Sequence, residues 1–396
     1  MYNTKHIIQS VLYILYICGM NYIPNPFLLS GYIDPASFCD REEETKRLVT
    51  HVLNGVNTCL ISVRRMGKTG LIYHTFHTLQ QKKKIPGIYL DLYATQNLKD
   101  LNSLLATSVL KAFPEHQGVG KKFMTLLKSL RPVVSYDPLS GDPEVRLDLS
   151  SPKQQDASLT SLFTFLEKQN TPLLVAFDEF QQIDSYPEKN TEALLRSLIQ
   201  PLKNVRFIFS GSSRHLLTDM FANHKRPFFS STAMLSLGPI AQAKYAAFIA
   251  DKFQIHKRKI SPEAIQFITD WSRLHTYYTQ AVCNHIFATG IRNITLPVVQ
   301  HECARLLKEQ EPVFYQYRNL LTHIQWDLLM AIAKEDKVYQ PSSKNFLASH
   351  PVGTASNVQR ALEALLSKEM VFSERDDKGN YYRVYDCFLA RWLEQF

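Results

Sequence analysis

Ser62-Val63-Arg64-Arg65-Met66-Gly67-Lys68-Thr69 follows a short apolar run, Thr58 to Ser62, and leads into a helical pattern from Leu71 to Gln80. Strand, loop and helix in that order, with Gly-Lys-Thr at the start of the helix, is an arrangement that cradles phosphate. Backbone N–H groups of such a loop point inward and the helix N-terminus stands behind them. The lysine reaches the β and γ phosphates, and the hydroxyl serves Mg2+. The octamer fits G-x-x-x-x-G-K-[ST] at every place but the first, where Ser62 replaces glycine and its side chain can narrow the loop. Residues 62 to 69 are therefore the candidate nucleotide-binding residues, and Thr69 is also a candidate Mg2+ ligand.

A second stretch separates this from a coincidental match. Leu173-Leu174-Val175-Ala176-Phe177-Asp178-Glu179 is an apolar strand ending in two adjacent carboxylates, which a core does not tolerate without purpose. Alternation sends them different ways, so Asp178 can hold Mg2+ through water while Glu179 faces the γ-phosphate and polarises an attacking water. Alone, Asp178 reads equally well as the cap of the next helix; beside the loop, the metal role is the better account. A third strand, Val205 to Phe209, ends in Ser210-Gly211-Ser212-Ser213-Arg214, and Ser210 is a candidate for orienting the water, against a plain polar turn. Arg226, in Lys225-Arg226-Pro227-Phe228, is a candidate arginine finger for its own site or for a neighbour's in a homo-oligomer. The candidate catalytic residues are thus Glu179, Ser210 and Arg226.

Gly87 to Leu92 and Ala233 to Leu237 complete five strand candidates separated by helical segments. That order predicts an α/β fold, a parallel sheet covered on both faces with ligands at the strand carboxyl ends. Asp40 reads as the N-cap of the first helix, and Arg131 to Pro152 as a loop with one hairpin around Val145 to Leu149. From Pro239 the pattern is wholly helical, with candidates Gln242 to Phe253, Ser261 to Trp271, Tyr277 to Thr289 and Val298 to Leu307. Three further helices, Thr322 to Lys334, Asn345 to Ser349 and Thr354 to Lys368, precede two strands. Those strands, Val371 to Glu374 and Tyr381 to Val384, flank the turn Asp376-Asp377-Lys378-Gly379-Asn380, which makes a winged helix. The expected domains are an N-terminal extension over 1–26, a P-loop core over 27–237, a helical lid over 238–317 and a winged helix over 318–396.

The 396 residues, 45% hydrophobic and 20% charged, fit a soluble globular chain with several cores and exclude fibrous and disordered classes. The net charge of +9 sits mostly in residues 1–130, with 15 basic against 8 acidic residues, where a triphosphate would use it. Residues 322–396 carry 9 against 10, so the winged helix is not basic. The six cysteines are scattered without a C-x-x-C pair, which suits a reducing, cytoplasmic compartment. His301-Glu302 lacks the second histidine of a zincin helix, since Arg305 stands there, and reads as a polar helix face. The apolar stretch Ile7 to Cys18 is short for a membrane span and has no A-x-A-like cleavage site after it, so no membrane association is expected. Met20 is the alternative start, which would make the preceding segment an artefact.

With Asn25-Pro26-Phe27, Phe38-Cys39-Asp40-Arg41-Glu42, Arg64-Arg65-Met66-Gly67-Lys68-Thr69, Asp178-Glu179 and Ser210-Gly211-Ser212 in place, the chain from Asn25 onward resembles the AAA-like ATPases described chiefly from archaea and abundant in Bacteroides-type bacteria. The resemblance implies a five-stranded core with an extra strand between the strands of the two nucleotide motifs, a helical lid and a C-terminal winged helix. It also suggests that adenine lies near Phe38 to Arg41. Where related proteins often carry Gly-x-Pro in the lid, this chain has Arg273-Leu274-His275-Thr276-Tyr277-Tyr278, which puts nucleotide sensing from the lid in doubt.

The function expected is Mg2+-dependent ATP binding with hydrolysis, driving a switch. ATP is favoured over GTP because no Asn-Lys-x-Asp stretch reads guanine. A DNA-binding regulator using Thr354 to Lys368 is the alternative, weakened because that helix offers only Arg360 and Lys368 and the wing tip is Asp376-Asp377. A protein partner on the lid or winged helix suits these surfaces better. A non-hydrolysing scaffold stays open because of Ser62, and a small-molecule kinase is disfavoured by the paired carboxylates.

Overall fold

The computed structural model describes residues 24–114 and 118–396; the apolar stretch Ile7 to Cys18 and the Met20 start lie outside them. Two compact units emerge, Ser30–Pro239 and Ile240–Phe396, the second including Asn25–Leu29.

The first unit runs α1 (Glu42–Leu53), β1 (Thr58–Ile61), α2 (Lys68–Lys83), β2 (Gly87–Asp91), α3 (Leu98–Ala112), α4 (Gly118–Ser129), β3 (Pro132–Tyr136), β4 (Pro143–Leu147), α5 (Pro152–Glu167), β5 (Leu173–Asp178), a 3-10 turn (Phe180–Ser185), α6 (Thr191–Ile199), β6 (Val205–Gly211), α7 (Arg214–Ala222) and β7 (Ala233–Ser236). Five strands form one sheet in the order β2-β5-β6-β1-β7, every pair parallel. Strand β6 thus lies between β1, which leads into the P-loop, and β5, which ends in Asp178. The stretch between Arg131 and Pro152 contains the antiparallel hairpin β3–β4.

Burial on both faces explains why β5 is apolar throughout. Leu173, Val175 and Phe177 enter a core with Leu101 and Leu105 of α3 and Leu162 and Phe163 of α5. Leu174 and Ala176 enter the opposite core with Leu48 of α1 and Leu71, Ile72 and Leu79 of α2. The same period of two puts Asp178 on the α2 face, together with Ser210 of β6, two residues after Ile208, and Tyr89 of β2. Strand parity therefore points these three side chains toward the helix that begins with Lys68 and Thr69.

Asp40 does not cap α1. The capping position is Arg41, at φ 65° and without a side-chain cap, and Asp40 is itself left-handed at φ 53°. The double turn aims Arg41 inward, where it is 4% exposed, bonds Glu44 at 2.9 Å and donates to the Met66 carbonyl at 3.4 Å.

The second unit contains α8 (Gln242–Ile255), β8 (Lys259–Ile260), α9 (Pro262–Trp271), α10 (Thr276–Ala288), β9 (Asn293–Ile294), α11 (Leu296–Asn319), α12 (His323–Glu335), α13 (Lys344–Ser349), α14 (Ala355–Ser367), β10 (Val371–Asp376), β11 (Gly379–Val384) and α15 (Cys387–Leu393). The three winged-helix helices start where side-chain caps allow, at Thr322 with Gln325 in a capping box, at Ser343 and at Thr354. Residues 240–396 form one compact unit, and α11 runs unbroken through Pro312 to Asn319, across the 317/318 boundary expected between lid and winged helix. Trp392 of α15 packs on Phe314 of α11 and Trp326 of α12, with centroids 5.5 and 6.2 Å away, and its indole N–H donates to Glu311 at 3.1 Å.

Asn25–Leu29, divided in expectation between the extension and the core, also belongs here. Phe27 is buried among Phe248, Phe253 and Phe287, and Asn25 and Asn284 each donate to the other's neighbourhood, to the Asn284 carbonyl at 2.9 Å and the Phe27 carbonyl at 2.7 Å. Glu302, expected on a polar face, is instead buried between His285 and Arg305, each 3.2 Å away. Among the described residues no helix is long and apolar enough to cross a membrane.

Candidate functional site

The loop from Ser62 to Gly67 turns sharply between β1 and α2, with Arg65 at φ 60° and Gly67 at φ 94°. Only glycine takes the second value without strain, and it lies at the capping position of α2, where free N–H groups collect. Met66 anchors the loop by burying its side chain in the α1/α2 core, leaving Arg64 and Arg65 exposed. Lys68 is buried and bridges back across the loop, donating to Ser62 Oγ at 3.2 Å and to the Val63 carbonyl at 3.4 Å. Ser62 Oγ in turn donates to the Val63 carbonyl at 2.8 Å. The serine that departs from the glycine pattern is thus a partner of the lysine. Burial pulls the Lys68 ammonium below its ordinary value, and Asp178 and Glu179 oppose that pull.

Asp178, 5% exposed, gathers hydroxyls on both carboxylate oxygens. Thr69 Oγ1 donates to Oδ2 at 2.9 Å, and Ser210 Oγ donates to Oδ1 at 2.6 Å. Thr69 and Asp178, 109 positions apart in sequence, therefore meet as the resemblance requires. Ser210, proposed from sequence to orient a water, is fully buried and gives its hydroxyl to the carboxylate.

Glu179 leaves the strand in a left-handed turn, φ 53°, which sends its side chain away from Asp178. Its Oε2 accepts from Ser212 N at 3.2 Å, Ser212 Oγ at 2.9 Å and Gln181 Nε2 at 2.5 Å. The P-loop reaches the same cluster, since Arg64 Nε donates to Ser212 Oγ at 3.2 Å. A Cβ on Gly211 would stand 1.9 Å from Gln181 Oε1, so a larger residue there would push the Gln181 amide from its place.

Arg226 does not join the site. Its guanidinium is held by Asp184 at 2.7 Å, Glu192 at 2.8 Å and Asp219 at 3.7 Å, carboxylates of the 3-10 turn, α6 and α7. The motif pattern pointed to Glu179, Ser210, Asp178 and residues 62–69, which the structure brings together. It missed Tyr89, whose hydroxyl donates to Asp178 Oδ2 at 2.7 Å, and Asp91, paired in register with Asp178. It also missed Gln181 and Arg41. The only signal for Asp91 was a charge closing an apolar strand. Burial, with Asp178 and Glu179 adding to it, raises the Asp91 carboxyl above its ordinary range.

Thr69 and Asp178 are an oxygen donor set suited to Mg2+, which takes one or two protein ligands and completes its shell with phosphate and water. Among the described residues no group of three or more His, Cys, Asp and Glu could hold a metal.

The fold is AAA-like, a P-loop NTPase-type five-stranded parallel sheet with a C-terminal winged helix. The sequence over residues 312–395 matches a family model described as a probable winged helix domain. No curated protein matches the sequence. Among solved structures the chain is similar to the Walker-type ATPase PABY2304 of Pyrococcus abyssi, at 19% identity over 93% of this chain and 99% of that one, with a TM-score of 0.63. It is also similar to the ORC2 protein of Aeropyrum pernix in ADPNP–ADP complexes, at 15% identity over 94% and 96% of the two chains, TM-score 0.57. The Aeropyrum pernix ORC1 protein in complex with DNA shares 13% identity over 94% and 96%, TM-score 0.51.

Proposed function

We propose that the protein is a Mg2+-dependent ATPase working as a nucleotide-driven switch. The observation that carries this is the convergence of Lys68, Thr69, Asp178 and Glu179 at the carboxyl end of β5 beside the start of α2, led by the Thr69–Asp178 bond of 2.9 Å. In this assignment the backbone of residues 62–67 and the α2 N-terminus bind the phosphates, Lys68 leaves Ser62 for the β and γ oxygens, and Thr69 and Asp178 hold Mg2+. Bound there, Mg2+ neutralises charge that develops on the phosphoryl oxygens. Glu179, freed from Ser212 and Gln181, takes a proton from the attacking water. ATP over GTP is supported by the absence of an Asn-Lys-x-Asp stretch and by the ADPNP–ADP complexes of the similar ORC2 protein.

The switch output is assigned to the second unit. Its lid and winged helix share α11 and are tied by the pairs of Arg273 with Asp336 and Glu394, so they respond to nucleotide as one body. DNA binding has less support, although the similar ORC1 protein was solved with DNA. The exposed face of α14 offers Arg360 beside Glu363, and Asp376 in the wing is already bonded by Lys337 and Tyr339. A protein partner on this unit and a cytoplasmic location fit the neutral winged helix and the five free, buried cysteines among the described residues.

Lys68→Ala is the test of the binding site. Removing a charged donor from the phosphates costs roughly 1.5–3 kcal/mol, so affinity for a fluorescent ATP analogue should fall by about tenfold or more, read by equilibrium titration. Unchanged affinity would exclude residues 62–69 as the nucleotide site.

A further inference from the structure

Strand β2 contributes nothing to either nucleotide motif, yet it supplies a third hydroxyl to the Asp178 carboxylate. Parallel pairing sets Tyr89 opposite Ala176 and Asp91 opposite Asp178, so the Tyr89 side chain leaves β2 on the α2 face one step before the carboxylate. Its hydroxyl donates to Oδ2 at 2.7 Å, the same oxygen that receives Thr69 at 2.9 Å, while Ser210 occupies Oδ1 at 2.6 Å. The Tyr73 ring of α2 packs against the Tyr89 ring with centroids 5.0 Å apart, which fixes the phenol from the helix side.

A carboxylate that binds a metal is oriented by the hydrogen bonds it receives from outer partners, and loss of such a partner typically weakens metal binding about 10- to 100-fold. We propose that Tyr89 is a positioning residue that holds the Asp178 carboxylate for Mg2+ and so sets the Mg2+ concentration at which the site fills. This rests on the nucleotide site proposed above and adds a residue from outside its motifs.

The test is binding of a fluorescent ATP analogue to the full chain while Mg2+ is titrated from an EDTA baseline, for wild type, Tyr89→Phe, Tyr73→Phe and Asp178→Asn. Tyr89→Phe should need about tenfold more Mg2+ for its midpoint while its affinity in EDTA stays at the wild-type value. Tyr73→Phe, which trims a hydroxyl not bonded to Asp178, should keep the wild-type midpoint. A Tyr89→Phe midpoint at or below wild type overturns the proposal, as does an equal shift in Tyr73→Phe, which would show that loss of any nearby phenol hydroxyl has the effect, bonded to Asp178 or not. If wild type shows no Mg2+ dependence, or Asp178→Asn leaves it intact, the metal site itself is misassigned and Tyr89 falls with it. Binding in EDTA also reports the fold; should Tyr89→Phe lose it, Tyr89→Met deletes the same hydroxyl and carries the same comparison.

Discussion

Glu179→Gln is expected to bind ATP as wild type does and to release phosphate about a hundredfold to ten-thousandfold more slowly, the range a positioned general base contributes. The substitution is nearly isosteric. Ser212 N and Oγ can still donate to the amide oxygen, so the local fold is kept while the proton acceptor is lost. Lys68, Thr69 and Asp178 are untouched, which is why binding and turnover should separate. Mg2+-dependent phosphate release, measured beside analogue binding, checks both halves. Binding without turnover in the wild type would make the protein a nucleotide-binding scaffold, and full turnover in Glu179→Gln would move the base elsewhere.

The second large effect falls on the stability of the lid and winged-helix unit. Arg273, at φ 57°, occupies the place where related proteins often carry glycine, and its guanidinium is only 9% exposed. It pairs with Asp336 at 2.6 Å and with Glu394 at 3.7 Å, while Arg383 grips Asp336 from β11. Asp336→Asn keeps the shape but leaves two guanidinium groups facing each other. Breaking a buried pair by removing one partner costs roughly 3–5 kcal/mol, and partial exposure of Asp336 argues for the lower end, about 3 kcal/mol. For a unit of this size that lowers the melting temperature by roughly 6–12 °C, measurable by calorimetry. An unchanged melting temperature would remove Asp336 from the structure's supports.

The pH dependence has a definite sign. Burial alone would raise the Asp336 carboxyl, but Arg273, Arg383 and Arg391 overcome it and the value lies below the ordinary range. A depressed carboxylate adds stability above its unfolded pKa of about 3.9 and loses it as pH falls through the folded value. The difference between wild type and Asp336→Asn should therefore be full at neutral pH and shrink below about pH 4.

Most of the architecture was legible in the chain because its signals are local. Apolar runs of strand length between helical periods marked all five sheet strands, and the helices Thr322 to Lys334, Asn345 to Ser349 and Thr354 to Lys368 with the two strands after them marked the winged helix. The motif residues 62–69 and 178–179 marked the carboxyl end of the sheet. Misreadings came where a residue answers to a distant partner. Asp40 looked like a cap because capping preference is judged over a few residues, whereas the actual turn serves Arg41 and the carbonyl of Met66. Arg226, a candidate for its own site or a neighbour's, is held within its own chain by Asp184, Glu192 and Asp219, which sit on three other segments that no local pattern links to it.

What the sequence determined by itself was the order and type of the elements and the chemistry of the phosphate loop and paired carboxylates, since helix and strand periods, caps and motif spacing act within a few residues. Only the tertiary structure decided that Tyr89 and Ser210 share Asp178 with Thr69, that Glu179 rests on Ser212, and that the lid and winged helix are one unit. Those outcomes depend on strand register and on buried charges finding partners more than thirty positions away, and no local pattern encodes which of the available partners is nearest in space.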